Sequence, residues 1–248
     1  DREPVAEVPL VDWAQIDEWL NEAQLLHRDR NCWLAVHERI AILRRAADIM
    51  RERAEELALQ IVREGGKPLV DARVEAGRAI NSVDLCVQAL SDGGGHEIPM
   101  DLTEAGAGRT AYTFREPIGP VVAISAFNHP LNLIVHQVGP AVAAGCPVLI
   151  KPALETPLSC QSFVSILHEA GLPEAWCRFA PCGNDIAERM VTDSRTAFFS
   201  FIGSAKIGWM LRSKLAPGTR IALEHGGAAP VIVDSGVERA AVIASLLK

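Results

Sequence analysis

The stretch from Pro117 to Lys151, PIGPVVAISAFNHPLNLIVHQVGPAVAAGCPVLIK, decides the fold. From Pro117 to Ile150 it contains no Asp, Glu, Lys or Arg, a run longer than the ~20 residues that cross a bilayer. It does not read as a membrane helix. Pro120, Pro130, Pro140 and Pro147 interrupt it, and Asn128, His129, Asn132, His136 and Gln137 would each be costly in lipid. It reads instead as a buried strand at residues 121–125, a turn, a helix from about Leu131, a second turn and a buried strand at residues 148–150. A charge-free segment of that form belongs at the centre of an α/β core.

The alternation continues downstream. A helix is expected from about Leu158, a strand near residues 178–180, a helix near Ile186, a strand at 197–202, a helix from Ser204, and strands at 221–223 and 230–233. Short apolar strands alternating with helices imply a mostly parallel, Rossmann-like sheet covered by helices on both faces, with ligands at the carboxyl ends of its strands. Upstream, Ile40, Leu43, Ala47, Met50, Ala54, Leu57 and Ile61 share one face of a long helix that ends at Gly65-Gly66. That spacing also suits a coiled coil, but two alanines in so short a seam favour a helix packed inside a domain. A second amino-terminal helix is expected at about 69–90. Gly93-Gly94-Gly95 then marks a loop, and residues 99–117 read as a protruding β-hairpin around Gly106-Ala107-Gly108, with Thr110, Tyr112 and Phe114 as β-formers.

Composition narrows the function. The 248 residues are 49% hydrophobic and 22% charged, with 24 basic against 31 acidic side chains and a formal charge of −7. That is globular rather than disordered, and no basic cluster is available for nucleic acid or an anionic membrane. Small molecules and protein partners remain. Six scattered cysteines (Cys32, Cys86, Cys146, Cys160, Cys177 and Cys182) suggest free thiols in a reducing cytoplasm. Cys177 and Cys182 lack the second ligand pair that a zinc site needs, so no metal is expected.

Four positions could carry chemistry. Gly203 and Gly208, in Phe201-Ile202-Gly203-Ser204-Ala205-Lys206-Ile207-Gly208, form half of a dinucleotide fingerprint, with Ala205 at the place of its middle glycine. A plain Gly-Ser helix cap accounts for the same residues. Lys151 closes a buried strand, within reach of ribose hydroxyls or a phosphate, or simply in solvent. Asn128 sits in a strand-to-helix turn, where its amide can donate to a developing oxyanion or serve only the turn. Glu224 follows an apolar strand, and a carboxylate held among apolar neighbours can act as a general base. His225 beside it reads as structural.

Taken together, these segments resemble the aldehyde dehydrogenase superfamily. The resemblance rests on residues 117–125 with Phe127-Asn128-His129-Pro130, on residues 139–145, on Lys151-Pro152-Ala153 with Thr156-Pro157-Leu158-Ser159, on 201–204, and on Leu223-Glu224-His225-Gly226-Gly227. Upstream, Glu64-Gly65-Gly66-Lys67-Pro68 extends it over nearly the whole chain. It implies oxidation of an aldehyde to a carboxylic acid with NAD or NADP, through a thiohemiacetal on a cysteine. It further implies that Asn128 holds the oxyanion, Glu224 activates water, Lys151 binds the adenine ribose, and Gly203 with Ser204 receives the pyrophosphate. The implied cofactor site also includes Ile124, Ser125, Ala126, Phe127, Ala153, Leu154, Gly183, Ile207, Gly208, His225 and Gly226. Residues 1–98 and 118–248 would then form a discontinuous cofactor-binding domain. The hairpin at 99–117 would join copies of the chain into a homo-dimer or homo-tetramer.

The sequence departs from the family pattern in several places. No cysteine follows Cys182, so none fits the nucleophile's motif after Glu224. The catalytic domain is expected to be missing, and the chain to begin, at Asp1, from a trimmed or processed start. As given it is expected to bind cofactor without oxidising aldehydes, as part of a complete enzyme that does; the alternative is a non-catalytic dinucleotide-binding or oligomerisation module derived from an aldehyde dehydrogenase. Gln137 replaces a lysine assigned to proton relay. Leu154 replaces a glutamate common in NAD-preferring members, which leaves NAD and NADP both open.

Overall fold

The computed structural model describes residues 4–247; residues 1–3 and 248, the two extremes of the expected discontinuous domain, lie outside the described residues. The chain opens with α1 (Trp13–Arg28), where the Asp12 carboxylate accepts a hydrogen bond from the Gln15 N–H at 2.9 Å and Ile16, Leu20 and Ala23 are buried. Such a side-chain oxygen satisfies one of the donors that a helix start leaves open.

The expected long helix is in fact two, α2 (Val36–Glu52) and α3 (Ala54–Gly65), broken at Arg53, whose backbone sits at φ −106° and ψ 17°. The apolar stripe passes through the break, with Leu43, Ala47 and Met50 buried before it and Leu57 and Ile61 after it. No proline or glycine marks the bend. On the two sides of the break the helices pack differently, α2 against both of the helices Asn132–Ala144 and Leu158–Glu169, and α3, of those two, chiefly against the second. The helix α4 (Leu69–Ser91) runs as expected.

The hairpin lies earlier than the expected 99–117, its first strand falling before residue 99, and its strands are only two residues long. Its strands β1 (Glu97–Ile98) and β2 (Ala111–Tyr112) pair antiparallel, with Glu97 opposite Tyr112. Thr110 and Phe114 fall outside them, and Glu104–Gly106 forms a turn of 3-10 helix. Beyond it the βα alternation is realised: β3 (Val121–Ile124), α5 (Asn132–Ala144), β4 (Val148–Lys151), α6 (Leu158–Glu169), β5 (Cys177–Phe179), α7 (Asn184–Thr192), β6 (Phe198–Ile202), α8 (Ala205–Arg212) and β7 (Arg220–Glu224).

The five longer-range strands form one parallel sheet in the order β5-β4-β3-β6-β7. Successive side chains of a strand point to opposite faces, and two cores result. Val121, Ala123, Val148 and Ile150 join α2 to α6 on one face, whereas Val122, Leu149, Phe199 and Phe201 join the apolar sides of α1, α7 and α8 on the other. The sheet is therefore sandwiched, and α2, α3 and α4 form a further helical layer outside α5 and α6.

One expected strand is absent. Residues 230–233 form no strand, and Val231, Ile232 and Val233 are 65%, 91% and 55% exposed. An apolar run becomes a strand only where a neighbouring strand takes up its backbone groups, and nothing among the described residues pairs with this one. The following helix α9 (Arg239–Leu246) buries no residue.

A cluster of charges pins α1 to the sheet. Arg195, just before β6, donates to Asp193 Oδ1 and Oδ2 at 2.7 and 2.6 Å, to Asp17 Oδ1 at 2.7 Å and to Asn21 Oδ1 at 2.8 Å. The hydrogen bonds from Arg195 hold the Asp193 carboxyl below its ordinary value. An acid depressed in the folded state contributes stability above its unfolded pKa, about 3.9, and that share is lost as pH falls through the folded value. Asp193→Asn is therefore expected to cost about 1–2 kcal/mol at neutral pH and to flatten the acid limb of the stability curve. Thermal unfolding at pH 7 and pH 3 checks both; equal losses at the two pH values would contradict it.

Candidate active site

The chain builds outward from β3 in two directions, to β4 and β5 on one side and to β6 and β7 on the other. The switch therefore lies between β3 and β6, and an open parallel sheet binds ligands in the crevice at the carboxyl ends of the strands at that point. Ile124 pairs with Lys151 on one side and Phe201 on the other, and Ile202 pairs with Glu224. The expected site residues thus share one edge of the sheet. Lys151 and Glu224 are three strands apart, about 15 Å at ordinary strand spacing, so only an extended ligand spans them.

The crevice floor carries unpartnered polar atoms. Ser125 and Gln137 are 6% and 5% exposed, and Ser125 Oγ and Gln137 Oε1 have no hydrogen-bond partner among the described residues. Gln137 Nε2 donates to Ile124 O at 3.2 Å, Ser200 O at 3.1 Å and Ser200 Oγ at 3.0 Å, tying β3 to β6. Buried polar atoms are normally satisfied. Two orphans at the switch point fit a site shaped for a polar ligand.

Lys151 is 6% exposed, and its Nζ donates to Pro152 O at 3.2 Å. Burial pushes its pKa down, partly offset by Cys182 and Glu155. An ammonium has three donors, so this lysine retains capacity toward ligand oxygens. Ala153 accepts the Thr156 N–H at 3.2 Å, closing a tight turn that leaves Leu154 exposed, and Thr156 Oγ1 reaches Phe127 O at 3.4 Å. The loops after β3 and β4 are thereby joined. Gly183 stands at the amino end of α7, beside Cys182 on the far side of Lys151.

Across the switch point, Gly203 donates its N–H to Glu224 O at 3.0 Å, and Ser204 caps α8 without using its side chain. A β-carbon at Gly203 would lie 2.7 Å from the Phe201 ring. The glycine lets the chain turn tightly off the strand, leaving the first N–H groups of α8 open to an anion. Gly208 is closer still: a β-carbon there would lie 2.2 Å from His225 Nε2. His225 stands edge-on to Phe201 and Trp209, at centroid distances of 6.1 and 5.6 Å. Its small neighbour Gly208 makes room for that ring, which explains a histidine beside the glycine pair. Ile207 is 42% exposed on the same helix, and Gly226 touches nothing within 4 Å of where its β-carbon would be.

Asn128 is exposed in the turn between β3 and α5, and α5 begins at Asn132 with Leu131 as its cap residue, so Asn128 does not cap the helix. Glu224 is also exposed, not enclosed by apolar neighbours as its sequence context suggests. It lines a groove of about 1030 Å³ between α4 and α5 together with Ser82, Cys86, Val135, His136 and Pro140. Ser82 donates to Arg78 O at 2.9 Å, which leaves His136 Nε2, 2.9 Å from Ser82 Oγ, as the donor of that pair. The Ser82 contact was not foreseen from the sequence, because it depends on how two helices cross.

None of the six thiols has its pKa lowered. Burial pushes Cys86, Cys177 and Cys182 up to about 11, 12 and 11, and raises Cys146 and Cys160 as well. The sixth, Cys32, is raised by desolvation and then by Asp29. A catalytic thiol needs the opposite shift.

The aldehyde dehydrogenase family model matches residues 1–248, and the chain belongs to that family. It is 34% identical over 212 residues to the 3-sulfolactaldehyde dehydrogenase of Priestia megaterium, covering 84% of this chain and 44% of that protein. Among solved structures it is similar to an aldehyde dehydrogenase from Physcomitrella patens in complex with its reaction product succinate, at 34% identity and a TM-score of 0.86 over 91% of this chain and 47% of that one. It is also similar to a glyceraldehyde-3-phosphate dehydrogenase from Methanocaldococcus jannaschii complexed with NADP, at 30% identity and a TM-score of 0.83 over 91% and 49%. The chain spans about half the length of the curated relatives it matches.

Proposed function

We propose that these residues form the cofactor-binding part of an NAD(P)-dependent aldehyde dehydrogenase that converts a small aldehyde to a carboxylic acid. The observation that carries the reading is the convergence of the Asn128 turn, Lys151, Gly203-Ser204 and Glu224 on one edge of the sheet, around a switch point with two orphaned polar atoms. A dinucleotide held here would supply the hydride acceptor for the oxidation.

The chain's own residues do the rest. The amides at the start of α8 hold the pyrophosphate, and Lys151 donates to ribose hydroxyls beside Ala153, Leu154 and Gly183. Ile124 to Phe127 would hold one side of the dinucleotide, and Ile207, Gly208, His225 and Gly226 the other. The Asn128 amide donates to the oxygen that gains charge when the aldehyde carbon is attacked, and Glu224 takes a proton from the hydrolytic water. None of the six cysteines follows Glu224, so none is assigned as the attacking thiolate.

Residues 1–98 and 118–248 act as the cofactor-binding domain. The hairpin region at 99–117 serves oligomerisation to a dimer or tetramer, supported by Leu102, Tyr112 and Phe114 at 80%, 60% and 84% exposure. The free thiols suit a reducing cytoplasm, and no helix among the described residues is long and apolar enough to cross a membrane.

Titration with NAD⁺ and NADP⁺, followed by calorimetry, tests the reading. Saturable binding is expected for at least one of them, and Lys151→Met should weaken it roughly 10- to 100-fold through loss of charge-assisted hydrogen bonds. No binding of either dinucleotide would overturn the proposal and leave an oligomerisation module.

A further inference from the structure

We propose that Glu75 is a positioning residue for the turn that carries Asn128, an inference that rests on Asn128 being the oxyanion donor. Glu75 lies on α4, outside the crevice, and is 1% exposed. Its Oε1 accepts from Leu131 N–H at 3.0 Å and Asn132 N–H at 3.1 Å. Its Oε2 pairs with Lys67 and faces His129 Nδ1 at 3.3 Å, and Lys67 Nζ lies 3.0 Å from the same ring nitrogen. Three of the four partners are the first, third and fourth residues after Asn128. The carboxylate therefore holds both the turn and the start of the helix that follows it.

The chemistry explains why a charge is buried here. The helix α5 starts with Leu131 as its cap residue and has no cap hydrogen bond from its own sequence. Glu75 supplies the acceptor from another helix and sits at the positive end of the helix dipole. At the other end of α5, Arg39 of α2 donates to Ala143 O. One helix is thus capped at both ends by buried charges from the outer helical layer, which fixes it along its axis. Lys67 offsets the negative charge of Glu75, so the turn is held without placing an uncompensated anion behind the site of the oxyanion.

The same device recurs one strand away. Glu64 of α3 accepts from Leu158 N–H at 2.7 Å and Ser159 N–H at 2.9 Å, at the start of α6. That clamp holds the loop after Lys151, whereas the Glu75 clamp holds the loop after Ile124. Glu64 is therefore the internal control: its removal should loosen a different loop.

The test uses the 248-residue chain labelled with ¹⁵N. In Glu75→Ala, exchange of the Leu131 and Asn132 amide protons should accelerate about 10- to 100-fold, and the Asn128 side-chain amide signal should shift or broaden. Glu75→Gln keeps one acceptor oxygen and should restore much of the protection, whereas Glu75→Met, of similar volume but without an acceptor, should not, which separates the hydrogen bonds from bulk packing. Glu64→Gln should move Leu158 and Ser159 most and Asn128 much less than Glu75→Ala does, because the two loops are joined only through the Thr156–Phe127 contact. If Glu75→Ala does not fold, Glu75→Met, which keeps the volume and removes both acceptors, gives the same reading through the Asn128 signal. An Asn128 signal that stays unchanged in folded Glu75→Ala or Glu75→Met overturns the proposal, as does disturbance of Asn128 in Glu75→Gln equal to that in Glu75→Met. Failure of the unaltered chain to bind NAD⁺ or NADP⁺ would strike the functional reading alone, because the amide signals report the clamp independently.

Discussion

Replacing Phe199 with alanine is expected to destabilise the chain by about 3–5 kcal/mol, the largest loss anticipated for any single substitution considered for this molecule. Phe199 is fully buried as the second residue of β6, level with Val122 on one side and Ile221 on the other. It belongs to the core that α1, α7 and α8 close over the sheet, and its ring meets Phe201 at 5.9 Å. That face depends on few large side chains, and a cavity at its middle is bounded by backbone on the sheet side, which cannot collapse into it. At about 2–4 °C per kcal/mol for a chain of this size, the unfolding midpoint should fall by about 6–20 °C. Denaturant unfolding of the variant checks this. A loss under about 1 kcal/mol would mean that the cores on the two sides of the sheet are not both needed.

Much of this architecture is legible in the sequence, because the residues that terminate strands and helices are distinctive. Pro120, Pro130 and Pro147 with Gly145 divide the charge-free stretch into strand, helix and strand, and Gly145 takes the left-handed φ of 76° that ends α5. The strands are short apolar runs with no competing period. Other features were hidden for stated reasons. The break at Arg53 leaves no mark because the apolar stripe stays in register across it. Residues 230–233 have a strand's composition, but pairing is a property of the neighbouring backbone and not of the run itself. The helix α1 was not anticipated, although Asp12 as a cap and the spacing of Ile16, Leu20 and Ala23 were signal enough.

The site divides in the same way. Lys151, Gly203 and Glu224 could be placed because a strand end fixes where its last residue points. Glu75 was missed, although it is an acidic residue within the buried stripe of Ala72, Ala76, Ala79 and Val83, and a charge at such a position demands a partner. Which partner it finds is decided by the crossing of α4 over the loop before α5, and no local pattern encodes that. His225 is the opposite case. Its position was plain, but the reason for a histidine there appears only when Gly208 and Trp209 are folded against it.

Gly208→Ala turns that last contact into a measurable coupling. The new methyl would lie 2.2 Å from His225 Nε2 and 3.0 Å from the Phe201 ring. The histidine cannot swing aside freely, because Phe201 and Trp209 each meet it edge-on. The helix α8 must therefore shift away from β6, at a cost of about 1–3 kcal/mol. Because the amino end of that helix is the proposed pyrophosphate site, dinucleotide affinity should fall roughly tenfold as well, about 1.4 kcal/mol. His225→Ala in the same chain removes the obstructing ring and should recover most of both losses, a coupling of about 1–3 kcal/mol between two residues that share one space. Thermal unfolding and dinucleotide titration of the two single variants and the double variant measure it. Simple additivity of the two losses would show that Gly208 is small for a reason other than the histidine, and affinity unchanged in Gly208→Ala would detach the α8 terminus from the cofactor.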